Sequence, residues 1–251
     1  MVDIHSHLLF GVDDGPETLD ESVEMIKKGM ELGFSEFYLT SHYGKGRFCN
    51  ENYDENFEIL KEKCQNLNLD IKLHRGNEIY LDENISKTLG EKKYNTIEGK
   101  YLLVEFSPLT LPSVGKHMVK KVLDMGFVPI VAHVERYNRF KGSDLLELKR
   151  LGCKLQVNIG GEKPKYIVRL LKEGYIDFLG SDAHKVKRRG YSLDELEHLK
   201  KLVGEKRIKR MTNLKGLEQE GKNSEQERSN SWIFGSFLRS VFRGTWVRSD
   251  S

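Results

Sequence analysis

Apolar and polar positions along this chain follow two rhythms that take turns. Residues 2–8 read Val-Asp-Ile-His-Ser-His-Leu, a period of two that predicts a strand. After it, Thr18-x-x-Glu21 predicts a capping box opening a helix that runs to about residue 32. Further strands are predicted over residues 34–40, 71–78, 101–106, 127–132, 154–159 and 177–180. Helices are predicted over 52–67, 113–125, 143–151, 165–173 and 193–203. Gly33, Gly126, Gly152 and Gly174 each stand between a helix and the next strand, where a left-handed residue is wanted. Strands such as Tyr101-Leu-Leu-Val and Pro129-Ile-Val-Ala are apolar on both faces, as in a parallel sheet covered by helices. Strand–helix alternation with seven strands predicts one closed parallel α/β barrel.

Near Gly216 the rhythm stops. Residues 218–231 are rich in Glu, Gln, Asn, Ser and Lys and read as a solvated linker. In residues 232–248, Phe234, Phe237, Leu238, Val241 and Phe242 share one helical face, with Arg239 and Arg243 off it and no acidic residue. The chain therefore divides into a barrel of residues 1–215 and a linker with a basic aromatic tail, 216–251. Such a tail suits peripheral contact with an anionic membrane surface. Docking on the barrel or in a homo-oligomer interface is the competing reading. A poorly ordered end is the third, since Gly235 and Gly244 would each weaken a helix by about 1 kcal/mol.

Where strands run out into loops, the polar residues are of one chemical kind. His5 and His7 open the chain two residues apart, so a strand would put both imidazoles on one face. His42, Glu78, Glu105, His133, and then Asp182 with His184, follow the next strands in order. In a barrel, side chains at the C-terminal strand ends converge on one mouth. A single histidine is more often a hydrogen-bonded core or surface residue, but five of the chain's eight at such ends reverse that expectation. His74 precedes the end of its strand, and His117 and His198 fall on helices, so none of these three is expected to bind metal. Imidazoles and carboxylates without thiolates suit manganese, zinc or iron. With Asp14 added, the set is larger than one ion needs and fits two or three sharing bridging carboxylates. Arg136, three residues beyond His133, and Arg189, five beyond His184, offer planar forks of donors matching phosphate oxygens. Lys185 and Arg188 add general positive potential.

Composition narrows the setting. A chain of 251 residues, 38% hydrophobic and 31% charged, can be one α/β barrel with an ample core. No apolar run approaches the roughly 20 residues of a membrane span, and His5 leaves no room for a signal peptide before the site. A cytoplasmic location is therefore expected, with the tail allowing contact with the inner membrane face. The formal charge of +3 is nearly balanced and gives no reason to expect nucleic-acid binding. Cys49, Cys64 and Cys153 are widely spaced and read as reduced thiols. The residues six beyond them are Glu55, Asp70 and Ile159, so the Cys-x5-Arg signature of cysteine-dependent tyrosine phosphatases is excluded.

Taken together, His5-x-His7, Val12-Asp-Asp-Gly15, Ser41-His42, Gly76-x-Glu78, Val104-Glu105-Phe106, Ala132-His-x-Glu-Arg136 and Ser181-Asp-Ala-His184 resemble the PHP (polymerase and histidinol phosphatase) superfamily. Among its branches they are most similar to the CpsB/CapC-type tyrosine phosphatases of capsule and exopolysaccharide loci. The resemblance covers residues 1–214. The Asp-Asp-Gly and His-x-Glu-Arg segments are its branch-specific signals. It implies a distorted (β/α)7 barrel of the PHP fold and a trinuclear, usually manganese-dependent centre. The ligands it implies are His5, His7, Asp14, His42, Glu78, Glu105, His133, Asp182 and His184, with Arg136 and Arg189 on phosphate. Ser41 stands where proline is common in the family, and Asn158-Ile-Gly-Gly161 departs from its usual polar stretch; neither removes a ligand.

The chain is thus expected to be a metal-dependent phosphomonoesterase acting on phosphotyrosine in protein. Its partner would be a membrane-associated tyrosine kinase, and its role the regulation of capsule or exopolysaccharide synthesis. Asp14, Asp182 or a metal-bound water would supply the leaving-group proton, and the sequence does not choose among them. A histidinol-phosphate or other small-molecule phosphatase is the alternative on the same site. An inactive PHP-like scaffold is the alternative without chemistry, and it would lack ligands that are all present here.

Overall fold

The computed structural model describes residues 1–214, except Lys45, Arg47 and Lys187. The tail and linker expected from residue 216 onward, including the proposed membrane-binding face, lie outside the described residues. Met1–Asn213 form one compact unit. It contains the strands β1 (Val2–Ser6), β2 (Glu36–Tyr43), β3 (Lys72–Tyr80), β4 (Tyr101–Glu105), β5 (Val128–Val131), β6 (Lys154–Asn158) and β7 (Phe178–Gly180). Helices α1 (Leu19–Glu31), α2 (Tyr53–Asn66), α3 (Ile85–Gly90), α4 (Pro112–Asp124), α5 (Gly142–Arg150), α6 (Lys165–Glu173), α7 (Leu193–Val203) and α8 (Glu205–Met211) accompany them.

The strands follow one another in chain order from β1 to β7, each paired in parallel with its neighbour. Past β7, Asp182 N–H donates to His5 O at 2.7 Å and His7 N–H to Ala183 O at 2.9 Å, closing the ring against β1. The barrel is uneven: the β1–β2 register shifts between Asp3 and Ser6. All seven predicted strands are present, with small shifts at their ends. β2 begins at Glu36, just after Ser35 N–H donates to Met1 O, and it reaches Tyr43 because its pairing with β3 continues to Tyr43 and Ile79.

Local chemistry explains the helix ends. Thr18 Oγ1 accepts from Glu21 N–H at 3.3 Å, the first half of the predicted box. The second half differs: Glu21 Oε2 takes Glu17 N–H at 2.8 Å. The four glycines singled out as helix closures all have positive φ, from 85° at Gly174 to 104° at Gly152. Pro112 sits in the first turn of α4, where no amide hydrogen is needed. The helices α3 and α8 were not expected from sequence; at six and seven residues they are too short to carry a periodic signal. The core lies between strands and helices: Leu102 and Val104 of β4 join Val119 and Val122 of α4, and Leu155 and Val157 join Leu145 and Leu148. With that face of each strand committed to the helices, the polar residues at the strand ends are left for the mouth.

Candidate metal centre

Each proposed ligand is delivered by a strand or by the loop that leaves it. His42 on β2 pairs in register with Glu78 on β3, and Tyr80 pairs with Glu105 at the end of β4. His133 and Asp182 follow β5 and β7 in left-handed backbone, with φ of 32° and 52°. Non-glycine residues rarely hold that conformation, which costs on the order of 1 kcal/mol or more and concentrates at functional sites. Arg189 shares it, with φ of 60°. Asp14 comes from the loop after β1.

The nine residues meet in four overlapping groups whose candidate ligand atoms lie within 4.8 Å of one another. These are His7–Asp14–His42–His184, His5–His7–Asp182, His5–Glu78–His133 and His42–Glu78–Glu105. No other residue enters a group among those described. His74 instead stacks on Tyr38 and lies 3.0 Å from Glu36, while His117 and His198 are exposed on α4 and α7.

The interior of the cluster is electron-rich. Glu78 is buried, with Oε1 2.9 Å from His133 Nε2 and Oε2 3.2 Å from both His7 Nε2 and His42 Nδ1. Neither oxygen receives a well-directed hydrogen bond, and Asp182 Oδ1 is likewise without a donor. His7 Nδ1 is 2.7 Å from Asp13 Oδ2, so Nδ1 carries a hydrogen, and in the neutral imidazole the Nε2 lone pair faces Glu78. His184 Nδ1 is bonded to Asp182 O at 2.9 Å, which likewise leaves its Nε2 as the free lone pair. His5 and His7 bring their Nε2 atoms to 3.3 Å. Lone pairs and carboxylate oxygens so close need protons or cations between them, and buried unsatisfied carboxylate oxygens are costly otherwise. The donor set fits divalent ions bound by nitrogen and oxygen.

Titration follows the same electrostatics. Burial alone would lower the His7 imidazole, but Asp13 and Glu78 outweigh it and hold it well above the usual range. Burial drives His42 down to about 4, helped by His7. Asp14, half-exposed beside His184 at 3.4 Å, is held well below the ordinary carboxylate range. Burial would raise Asp182, but His5 and Arg136 overcome it and keep the carboxyl low.

Both expected phosphate-binding arginines reach this cluster. Arg136 Nη2 and Arg189 Nη2 lie 2.6 and 2.5 Å from the same atom, Asp182 Oδ2, and both side chains remain more than a third exposed. Beside Arg189 a cavity of about 390 Å³ is lined by Asp14, His184, Lys185, Arg188, Arg189 itself and Phe48. The Phe48 ring stacks on His42 at 5.4 Å.

Three residues that matter here carried no assigned role in the sequence. Asp13 orients His7 and also accepts His42 N–H at 2.9 Å; of the adjacent pair Asp13-Asp14, Asp14 was the expected ligand and Asp13 had no assigned part. Gln156 and Asn158 bond the ligands from β6, and polar residues two apart in an apolar strand were the available signal. The cysteines take no part: Cys64 and Cys153 are buried, their thiols pushed by burial up to about 11 and about 12.

A family model for CpsB/CapC, capsular polysaccharide synthesis, matches residues 1–216. The chain belongs to the CpsB/CapC family. The tyrosine-protein phosphatase CpsB of Streptococcus agalactiae serotype V is 32% identical over 203 residues, 74% of this chain and 84% of that protein. CpsB of Streptococcus pneumoniae is 30% identical over 229 residues, 84% and 94% of the two chains. Among solved structures, a crystal structure from work on Bacillus subtilis YwqE and S. pneumoniae CpsB, described as metal-dependent tyrosine phosphatases, superposes with a TM-score of 0.74. That match has 26% identity and covers 84% of this chain and 91% of the other. The fold is therefore the (β/α)7 barrel of these CpsB/CapC proteins, and its mouth holds groups that could bind metal.

Proposed function

We propose that this chain is a metal-dependent phosphomonoesterase that removes phosphate from phosphotyrosine in protein. The observation that carries the reading is the convergence of nine imidazole and carboxylate residues, with two arginines beside them, at the mouth of a CpsB/CapC barrel. His5, His7, Asp14, His42, Glu78, Glu105, His133, Asp182 and His184 would hold two or three ions, manganese first, with iron and zinc as alternatives. Bound divalent ions supply Lewis acidity, lowering the pKa of water and offsetting charge on a transferring phosphoryl group.

The chain's own residues supply the rest. Arg136 and Arg189 would orient the phosphoryl oxygens through their guanidinium forks. Asp14 and Asp182, both with depressed pKa, suit ligation better than proton donation. A phenolate leaving group needs little help from an acid, which favours aryl over alkyl phosphates. Phosphotyrosine proteins are the substrates expected of a CpsB/CapC member, and a membrane-associated tyrosine kinase is the partner we propose, in capsule or exopolysaccharide synthesis.

No helix among the described residues is long and apolar enough to cross a membrane. A cytoplasmic protein, with the basic tail of residues 232–248 touching the inner membrane face, is our reading of location. Homo-oligomerisation is the other role open to that tail. Binding to anionic liposomes by the full chain, and its loss on truncation near residue 216, checks the membrane role.

The deciding experiment is hydrolysis of phosphotyrosine peptide, phosphoserine peptide and histidinol phosphate by protein treated with chelator and then with manganese. Chelation should abolish phosphotyrosine hydrolysis, manganese should restore it, and iodoacetamide should leave it intact. Full activity in excess chelator, or a preference for histidinol phosphate, defeats the proposal.

A further inference from the structure

Strand β6 carries two amide side chains, Gln156 and Asn158, both buried. An amide in a barrel interior is costly unless its polar atoms are used, so the destination of each atom is informative. One terminal atom of Gln156 lies 2.7 Å from the His133 backbone N–H and 3.1 Å from His5 Nδ1. A backbone N–H can only donate, so that atom is the amide oxygen. An amide oxygen can only accept, so His5 Nδ1 carries the hydrogen. Gln156 Nε2 donates to Asn158 Oδ1 at 2.9 Å, and Asn158 Nδ2 donates to Asp182 Oδ2 at 2.9 Å. An ionised carboxylate only accepts, which fixes the far end.

Both amides are therefore oriented by groups that cannot reverse. Turning Gln156 over would set donor against donor at His133. Turning Asn158 over would set acceptor against acceptor at Asp182. Space for the chain of bonds is made by Gly180, which pairs with Asn158 across β6 and β7. A Cβ there would lie 2.6 Å from His5 Cβ and 3.0 Å from Gln156 Nε2.

We propose that Gln156 and Asn158 form a directional amide relay that presets three of the metal ligands before an ion arrives. It would set the tautomer of His5, the backbone of His133 and the oxygen of Asp182 that faces the cluster. With hydrogen on Nδ1, His5 turns its Nε2 lone pair to Glu78 and Asp182, each 3.4 Å away. Asp182 Oδ2 is filled by Asn158, Arg136 and Arg189, so Oδ1 is the oxygen left facing His5 and His7 at 3.4 and 3.5 Å. Gln156 and Asn158 are positioning residues; they act through these ligands. The consequence for metal rests on the proposed function above, whereas the tautomer of His5 does not.

The test uses the full chain with 15N-labelled histidine, treated with chelator and held at alkaline pH where imidazoles are neutral. Long-range 15N–1H correlation should show His5, assigned by its loss in His5→Gln, with hydrogen on Nδ1, and this preference should disappear in Gln156→Met. Manganese titration followed by electron paramagnetic resonance should show affinity weakened by about 10–100-fold in Gln156→Met and in Asn158→Leu, with near-ultraviolet circular dichroism retained. Hydrogen on Nε2 of His5 in the unmutated protein overturns the relay, and that measurement does not depend on the folding of Gln156→Met or Asn158→Leu. So does manganese affinity within about twofold of the unmutated protein in both folded variants. Failure of the unmutated protein to bind manganese defeats the manganese reading itself and leaves the tautomer to decide the relay.

Discussion

Asp3 and Asp182 are buried carboxylates on either side of the seam where β7 meets β1, and the protein uses them in opposite ways. Asp3 Oδ1 accepts the His5 and Ser181 N–H groups at 3.3 and 3.0 Å; its Oδ2 accepts the Ser181 and Tyr191 hydroxyls at 2.6 and 2.7 Å. Every donor is neutral and both oxygens are used. Burial dominates, and the carboxyl titrates above its ordinary value. Asp182 is held by two guanidinium groups and an amide, all on one oxygen, while the other faces histidines without a donor. Here charge outweighs burial and the carboxyl stays low. Burial alone thus does not say what a carboxylate is for. A fully satisfied one fastens strands together, and one left half-satisfied among lone pairs is set for a cation.

The sharpest way to break this contrast is at Glu78, the mouth carboxylate shared by two of the ligand groups. Glu78→Ala should lose both bound metal and hydrolysis, with the fold retained by circular dichroism; a variant that kept its metal by elemental analysis would remove Glu78 from the ligand set. Arg136→Ala should keep metal and fold while kcat/KM falls by roughly 10²–10³, the loss of one well-placed donor. Lost metal or unchanged kinetics would reassign that arginine. At the seam the order inverts. Asp3→Ala should destabilise by on the order of 3 kcal/mol, because buried donors lose their acceptor, yet leave the metal content of folded protein unchanged. Calorimetry with metal analysis of the same sample checks both halves. The smallest effect belongs to His74→Gln, away from the ligand groups, where loss of the part-exposed Glu36 contact should cost about 1 kcal/mol or less and leave turnover intact. A large loss of activity there would show that the barrel interior couples to the mouth more tightly than its contacts suggest.

Much of the barrel was legible because its signals are local. Apolar runs such as Tyr101-Leu-Leu-Val announced strands, glycines such as Gly152 closed helices, and histidines and carboxylates at strand ends pointed to one mouth. His74, His117 and His198 could be set aside by position alone, and the structure keeps all three out of the ligand groups. The motifs also carried the family, since His5-x-His7 and His133-x-Glu-Arg136 survive as chain order whatever surrounds them.

The tertiary structure decided how these residues are oriented. His5 and Gln156 are 151 positions apart, so no local period could pair them. That Asp13 bonds His7 while Asp14 lies against His42 and His184 depends on where two adjacent side chains point after a turn. The residue names announce neither the left-handed backbone at Asp182 and Arg189 nor the sharing of one Asp182 oxygen by Arg136 and Arg189. Sequence determined the kinds of groups brought to the mouth, because strand period and chain order are properties of neighbours. Only the closed barrel fixed which atom of each group faces inward, because hydrogen-bond direction is settled by contacts between strands far apart in the chain.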